Sequence, residues 1–232
     1  MLWWNIYLSG GSIDRGGPIT RSDHLLRLYL VRHGVTEWNN TRRLQGHTDV
    51  PLSEEGIKQA HLIANRLSKA ELNAVWSSDL NRARITAKII AEPHAIEVRS
   101  TPLLRETMLG EWEGLTQEDI IARGDEPKLK AYHLDPMANR PPRGEPLESV
   151  WSRMIEARDL IISSCPQGSV AVVGHGGSLR VFLCDALGLD VSGLRRIWLD
   201  NVSLSILEYW ESGSWIRLVN DTCHLHTNGV LE

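Results

Sequence analysis

Two apolar runs in this sequence end in a histidine followed by a glycine. The first, "LYLVRHG", ends at His33 and Gly34, and the second, "VAVVGHG", ends at His175 and Gly176. Such runs are typical of buried strands, and open parallel sheets bind ligands beyond the carboxyl ends of their strands. Glycine at a strand end lets the backbone approach a ligand closely. We therefore expect both imidazoles to face the same crevice.

Two arginines belong to the same candidate site. Arg32 directly precedes His33, and Arg82 lies at the start of the predicted helix after "WSSD". A guanidinium is a planar fork that can hold two phosphate oxygens at once, so these side chains suit an anion. The same set also fits a structural ion-pair site or a passive phosphate-binding site. A catalytic site therefore needs one further group.

That further group is a proton donor. Phosphoryl transfer to a histidine nitrogen is slow with an alkoxide leaving group unless an acid protonates it, a role that contributes about 10²–10⁴-fold. The segment "LLRETMLGEWEGL" supplies carboxylates after a predicted strand. Glu106 is the preferred acid because it comes first after that strand. Glu111 and Glu113 are the alternatives, and either fits a solvated loop charge equally well.

Composition narrows the class of protein. The chain has 232 residues, is 42% hydrophobic and carries a net charge of −4, without a long Lys/Arg run of the kind that binds nucleic acid. Its three cysteines fit neither a disulfide framework nor paired C-x-x-C zinc ligands, which indicates a reducing, cytoplasmic setting. No apolar run approaches the roughly eighteen residues that span a bilayer. We expect no nucleic-acid partner and no membrane association.

The apolar spacing predicts the order of elements. Residues 1–24 are rich in Gly, Ser and charge and lack a period, so they are predicted to form a flexible N-terminal arm before a single domain, residues 25–232. Predicted elements are strands at 25–31, 74–78, 96–101 and 169–176, helices at 54–68, 79–92, 147–164 and 178–188, and a terminal hairpin around Gly213. This alternation predicts an α/β fold, a three-layer α/β/α sandwich with a mainly parallel central sheet.

Five segments together resemble one known family. Residues 32–39 have the pattern R-H-G-x-T-x-x-N, followed in order by "LQGHTDVPLSEEGIKQA", "SSDLNRARITA", "LRETMLGEWEGL" and "GHGGSLR". From about Leu26 to Val219 the chain resembles the histidine phosphatase superfamily, also called the phosphoglycerate mutase-like fold. The resemblance implies one catalytic domain of that fold, acting on a small phosphorylated metabolite.

The resemblance also implies roles for individual residues. His33 corresponds to the phosphorylated nucleophile and Glu106 to the proton donor. The phosphate pocket and the substrate contacts correspond to Arg32, Arg82, His175, Asn39, Gln45, Gly46 and Gly176. We expect no metal and no cofactor, because two arginines and two histidines already supply donors and positive charge. His224 and His226 are interpreted as part of a mobile C-terminal tail rather than as a metal pair.

The main division within the family separates mutases from phosphatases. The mutases carry a basic stretch after the acid that holds the substrate carboxylate, whereas this chain has no Arg, His or Lys between Glu106 and Gln117. The resemblance therefore favours a metal-independent phosphomonoesterase. A phosphoglycerate mutase is the enzymatic alternative, and a non-catalytic phospholigand-binding protein is the third.

Two questions stay open at the level of sequence. The substrates that fit the family include ribazole phosphate, phosphoserine, phosphoglycerate, sugar phosphates and glycosylated phosphoglycerates. Tryptophan and leucine residues near the terminal hairpin offer a surface for a homodimer.

Overall fold

The computed structural model describes residues 26–226, which fold around one six-stranded sheet. The strands are β1 (Leu26–Arg32), β2 (Ala74–Ser78), β3 (Val98–Thr101), β4 (Gly168–Gly174), β5 (Leu204–Trp210) and β6 (Gly213–Asp221). The α-helices are α1 (Glu37–Asn40), α2 (Glu54–Leu67), α3 (Asn81–Ala91), α4 (Gln117–Ala122), α5 (Glu126–Leu134), α6 (Leu147–Ser164) and α7 (Arg180–Ala186).

The sheet is parallel on one side and antiparallel on the other. Its order is β3-β2-β4-β1-β5-β6, with the first four strands parallel. Strand β5 is antiparallel to β1, and it forms the predicted terminal hairpin with β6. At the centre, the last residue of β1, Arg32, is in register with the last residue of β4, Gly174. The residues that follow the two strands, His33 and His175, therefore leave the sheet side by side.

Helices cover both faces of the sheet. Successive strand residues point to opposite faces, and because the central strands are apolar throughout, both faces bury hydrophobic side chains. Met154 of α6 and Phe182 of α7 pack on one face, while Ile63 of α2 and Ile90 of α3 pack on the other. The predicted three-layer α/β/α sandwich is confirmed. Within residues 26–226, the helices lack the combined length and apolar character needed to cross a membrane.

The N-terminus of α2 packs against the segment that follows His33. As predicted, Ser53 caps this helix, and its hydroxyl accepts a hydrogen bond from the backbone N–H of Gly56 at 3.1 Å. A Cβ atom at Gly34 would lie only 2.4 Å from the carbonyl oxygen of Gly56. Glycine at position 34 thus allows the helix to contact the backbone beside the histidine directly, which holds that segment in place.

Some predicted elements differ from the structure at their ends. Strand 169–176 ends at Gly174, helix 79–92 begins at Asn81, strand 96–101 begins at Val98, and helix 178–188 is reduced to Arg180–Ala186. Asp49 accepts hydrogen bonds from the backbone and side-chain nitrogens of Asn81, the residue at which α3 begins. This tertiary contact lies two residues beyond the predicted start of that helix. The predicted arm, residues 1–24, lies outside the described residues.

The interpretation of His224 as part of a mobile tail is wrong. Cys223–Leu225 form a 3₁₀ turn, and Arg66 of α2 donates to Nδ1 of His224 at 3.1 Å and pairs with Asp221 at 2.5 Å. Burial, assisted by the charge of Arg66, lowers the pKa of His224 to about 4. The turn is therefore anchored to α2, and residues 227–232 lie outside the described part of the chain.

Candidate active site

His33 and His175 lie next to each other at the carboxyl ends of β1 and β4. Their ring centroids are 5.1 Å apart, with the planes inclined at 61°, and the two residues are 3% and 0% exposed. The backbone N–H of His33 donates to the carbonyl of Gly174 at 3.0 Å, and Asn201 Nδ2 donates to the carbonyl of His33 at 2.9 Å. The two imidazoles expected to face one crevice therefore lie side by side, although His33 lines the cavity described below and His175 does not.

The hydrogen bond of His33 selects its tautomer. Nδ1 lies 2.7 Å from the carbonyl oxygen of Gly34. A carbonyl oxygen can only accept, so Nδ1 carries the ring proton, and in the neutral ring Nε2 then holds a free lone pair. Since His33 lines a cavity, the ring has the tautomer that a nitrogen nucleophile requires.

Burial and charge both keep the two rings neutral. Desolvation is the largest influence, and it lowers the pKa of His33 and of His175 well below the ordinary range. The positive charge of Arg82 acts in the same direction on both rings, as does that of Arg32. Burial is the larger of the two influences on the pKa of each ring. Both imidazoles are therefore unprotonated at neutral pH.

Each arginine is fixed by backbone carbonyls. Arg32 Nη1 donates to Leu199 O at 2.7 Å, while Arg82 donates to Thr48 O at 2.8 Å and Gly46 O at 2.7 Å. Burial lowers the pKa of Arg82 to about 10, so the group is still a cation at neutral pH. Both guanidinium groups are thereby held in place as cations before any ligand arrives.

Several buried polar atoms of this cluster have no hydrogen-bond partner among residues 26–226. They are Nε of Arg32, Nε of Arg82 and both ring nitrogens of His175. Buried polar groups are normally paired, because leaving a donor or acceptor unsatisfied costs about 1–3 kcal/mol. A ligand with several acceptor oxygens, such as a phosphate group, would satisfy these donors.

Glu106 lies at the same end of the sheet, and a short turn separates it from the end of the predicted strand. Strand β3 ends at Thr101, and Pro102–Leu104 form a 3₁₀ turn. Proline has no N–H for the sheet and a fixed φ, which favours a strand end at this point. The turn carries the chain from the edge of the sheet toward the paired histidines.

The carboxylate of Glu106 is held by backbone donors. It accepts from the N–H groups of Thr107 at 2.8 Å, Gly177 at 2.9 Å and Ser178 at 3.0 Å. A Cβ atom at Gly177 would lie 2.3 Å from Oε1 of Glu106, so only glycine permits this approach. Since Gly177 is two residues beyond His175, these bonds bring the candidate acid to the histidine pair.

The main chain of Glu106 is also clamped from two sides. Arg153 of α6 donates to the carbonyls of Leu103 at 2.7 Å, Arg105 at 2.6 Å and Glu106 at 2.9 Å. His47 donates from Nε2 to the same Glu106 carbonyl at 2.8 Å. The candidate acid therefore sits on an immobilised segment, and sequence analysis missed both supporting residues.

The two alternative carboxylates serve structural roles. Glu113 accepts from the N–H groups of His47, Thr48 and Leu109 at 2.9–3.0 Å, which ties the loop after α1 to the segment after Glu106. Glu111 pairs with Arg123. Neither carboxylate lines the cavity that Glu106 lines. The interpretation of Glu113 as a solvated loop charge is wrong, because its side chain is bonded to three backbone donors.

A cavity of about 320 Å³ opens over these groups. Of the predicted substrate contacts, Asn39, Gln45 and Gly46 line it. Oδ1 of Asn39 accepts from Thr36, so its NH₂ group is the free donor. Gly176 does not line the cavity: a Cβ atom there would lie 3.2 Å from Nε of Arg32, and its role is to make room for that side chain.

Three large polar side chains that line the cavity escaped the sequence analysis. Tyr132 lies on α5, within a Pro-rich stretch whose helix has little amphipathic pattern. Arg43 and Arg180 also line the cavity. Arg180 could have been identified from its position, because it lies five residues after His175 in the segment that leaves the candidate site.

Comparisons with known proteins agree with this geometry. Residues 28–222 match the family described as histidine phosphatase superfamily (branch 1). A Serratia proteamaculans protein named probable phosphoglycerate mutase GpmB is 39% identical over 218 residues, 90% of this chain and 99% of that protein.

Two solved structures share the fold. Bacillus stearothermophilus YhfR has a TM-score of 0.81 and 31% identity, covering 87% of this chain and 100% of that one. The mycobacterial glucosyl-3-phosphoglycerate phosphatase in complex with VO3 has a TM-score of 0.75 and 32% identity, covering 84% of this chain and 99% of that one.

Proposed function

The chain belongs to the histidine phosphatase superfamily, and from this premise we propose that it hydrolyses a small phosphomonoester through a phosphohistidine on His33, with Glu106 as the proton donor. The observation that carries the proposal is the bond from Nδ1 of His33 to the carbonyl of Gly34, which leaves Nε2 as the unprotonated nitrogen. Members of the superfamily act as phosphatases or mutases, so the substrate and the outcome of the second step are the open points.

In the first step Nε2 of His33 attacks phosphorus, and the bond from phosphorus to the leaving oxygen breaks. The charge on the phosphoryl oxygens is stabilised by Arg32, Arg82 and His175, whose buried donors require no reorganisation. The leaving oxygen takes a proton from the carboxyl group of Glu106. The products of this step are a free alcohol and phospho-His33.

In the second step the same carboxylate, now ionised, takes a proton from a water molecule. The water oxygen attacks phosphorus, the bond to Nε2 breaks, and inorganic phosphate leaves with the histidine regenerated. The backbone donors that hold the Glu106 carboxylate keep it in one place for both proton transfers. Two arginines and two histidines supply the donors, so the proposed chemistry calls for no metal.

A phosphoglycerate mutase is the second candidate, and one observation favours it. Although no basic residue follows Glu106 closely in sequence, Arg43 and Arg180 bring two further cations to the cavity from other segments. The similarity to a probable phosphoglycerate mutase points the same way. A non-catalytic phospholigand-binding protein is disfavoured, because the nucleophile and the acid are both present.

The test is a panel of phosphorylated metabolites assayed both for released phosphate and for isomerised product. We expect net phosphate release that His33→Asn abolishes. Conversion of 3-phosphoglycerate to 2-phosphoglycerate without phosphate release would establish the mutase instead, and binding without turnover of any compound would establish the non-catalytic alternative.

A further inference from the structure

We propose that Arg180 is a specificity-determining residue that binds a carboxylate on the leaving group of the substrate. This inference rests on the proposed phosphomonoesterase function and names the class of its substrate, a phosphomonoester of a hydroxy acid. It starts from the cavity walls, which carry four arginines, namely Arg32, Arg43, Arg82 and Arg180, and one carboxylate, Glu106.

Three of the four arginines already have a partner or a task. Arg32 and Arg82 flank the nucleophile, and their two positive charges match the two negative charges of a phosphomonoester. Arg43 forms an ion pair with Asp119 at 3.0 Å and donates to Gly114 O at 2.7 Å. Their charges are therefore balanced before the leaving group is considered.

Arg180 is the cation left over. Within the described residues it forms no ion pair, its one side-chain hydrogen bond is a long contact of 3.5 Å from Nη1 to Leu194 O, and its buried Nε has no partner. Its guanidinium lies over the indole ring of Trp198, 5.7 Å from the centroid. A cation over an aromatic face is held in position while its hydrogen-bonding edge stays available.

The position of Arg180 places it on the leaving-group side of the cavity. The carboxylate of Glu106 must lie next to the departing oxygen, and that carboxylate is bonded to Gly177 and Ser178, just before Arg180. Burial raises the pKa of Tyr132, and the charges of both Glu106 and Arg180 also influence that pKa. Both side chains therefore lie near this cavity residue. The fourth cation is thus near the acid, where the rest of the substrate lies once its phosphate occupies the histidine pocket.

A carboxylate fits this position best. Since Arg32 and Arg82 match the phosphate and Arg43 is paired with Asp119, Arg180 is the cation of the described lining left for the rest of the substrate, and one carboxylate balances it. A hydrogen-bonded charge pair of this kind contributes about 10- to 100-fold in affinity. A substrate with a neutral group in place of the carboxylate would leave the guanidinium without a partner. Such a substrate would therefore bind more weakly.

The experiment compares 3-phosphoglycerate with glycerol 3-phosphate, which has a hydroxymethyl group in place of the carboxylate. For the native chain we expect kcat/KM for phosphate release to be about 10- to 100-fold higher with 3-phosphoglycerate. In Arg180→Gln this preference should collapse, mainly through a higher KM for the carboxylate substrate, whereas Arg180→Lys should keep part of it. Arg196→Gln is the matched control, since Arg196 is exposed nearby and does not line the cavity.

The outcomes separate the two proposals. Equal kcat/KM for the two substrates in the native chain, or an unchanged preference in Arg180→Gln, overturns the role of Arg180 while phosphatase activity stands. A lost preference in Arg196→Gln also overturns it, because a general surface charge would then be responsible. Absence of phosphate release from both substrates and from p-nitrophenyl phosphate contradicts the proposed function itself.

Discussion

At the scale of single residues, the proposed chemistry requires that the imidazole of His33 is neutral and held in one orientation. His33 is buried, its Nδ1 is bonded to a carbonyl, and Arg82 and Arg32 add positive charge nearby. Burial and the two arginine charges disfavour the imidazolium form, which would have no lone pair for phosphorus, whereas the Nδ1 bond fixes the tautomer. The arginines proposed to bind phosphate thus add to burial in keeping the proposed nucleophile unprotonated.

Glu106→Gln should separate the two proton transfers. The amide keeps the size of the side chain but has no acidic proton, so turnover of an alkyl phosphate should fall by about 10²–10⁴-fold. With p-nitrophenyl phosphate the departing oxygen needs little protonation, so phospho-His33 should still form while its hydrolysis slows. Rapid-mixing kinetics should then show a burst of p-nitrophenol that equals the enzyme concentration.

The control for this prediction is Glu111→Gln, which removes an ion pair with Arg123 outside the cavity. Turnover of both substrates by this variant should stay within about threefold of that of the native chain, since an exposed ion pair contributes about 0–1 kcal/mol to stability. Equal losses on both substrates in Glu106→Gln, or a larger loss in Glu111→Gln, would show that the proton donor is misassigned.

The residues proposed to react could be chosen from the sequence because each has a local signal. His33 and His175 end apolar runs, and a parallel sheet brings such ends together. The choice among three glutamates was less secure, since Glu106, Glu111 and Glu113 lie within eight residues of one another. What distinguishes them is which backbone N–H groups they meet, and for Glu106 two of these come from a segment about seventy residues away.

At the scale of elements, α6 holds the segment that carries the candidate acid. Its Arg153 donates to the carbonyls of three residues between positions 103 and 106, and it pairs with Glu145 at 2.8 Å. Arg153 does not line the cavity, so we assign it a positioning role. Loss of these bonds would free the main chain that carries the acid.

Arg153→Met should therefore lower kcat for an alkyl phosphate by about tenfold, with a smaller change in KM, because misplacement of a catalytic group affects the transition state most. The loss should be smaller for p-nitrophenyl phosphate, which depends less on the acid. Arg158→Met is the control on the same helix, where the side chain pairs with Asp185 and Asp159. If the effect of Arg153 were purely structural, kcat would instead fall equally for both substrates.

The elements that escaped prediction share a physical reason. Helices α4 and α5 are short, and α5 has no clear apolar face, so periodicity gives little signal. Their stability comes from tertiary contacts, as in the small cluster of Trp112, Ile120 and Leu129. By contrast, α2 and α6 were predicted to within one residue, because each is long and α2 has a capping serine.

At the scale of the whole molecule, two buried neutral histidines make stability depend on pH. Their pKa is lowered in the folded state, so below about pH 6.5 the unfolded chain binds more protons than the folded one. Stability is then greatest above that pH and falls as the pH drops below it. The slope for one such group is on the order of 1 kcal/mol per pH unit.

His175→Asn should weaken this dependence. Between pH 7.5 and 5.5, the decrease in the free energy of unfolding measured in urea should be roughly 1 kcal/mol smaller than in the native chain. The control is His61→Asn on the exposed surface of α2. An equal decrease in His175→Asn and the native chain would mean that this imidazole titrates alike in both states.

The layered architecture could be predicted from the alternation of strand and helix patterns. The oligomeric state follows neither from that alternation nor from the fold of one chain. Trp198 and Trp215 are 67% and 58% exposed, consistent with the surface noted near the terminal hairpin. The expected homodimer stays a prediction, because the complementarity of two surfaces is a property of a pair of chains and not of local spacing.

The central claim, a covalent phosphohistidine on His33, can be measured directly. The native chain is mixed for milliseconds with a ³²P-labelled substrate and quenched in alkali, and the phosphorylated peptide is mapped. We expect a phosphate that is stable in alkali, labile in acid, located on His33 and absent in His33→Asn. Label on another residue, or undiminished turnover in His33→Asn, would contradict it.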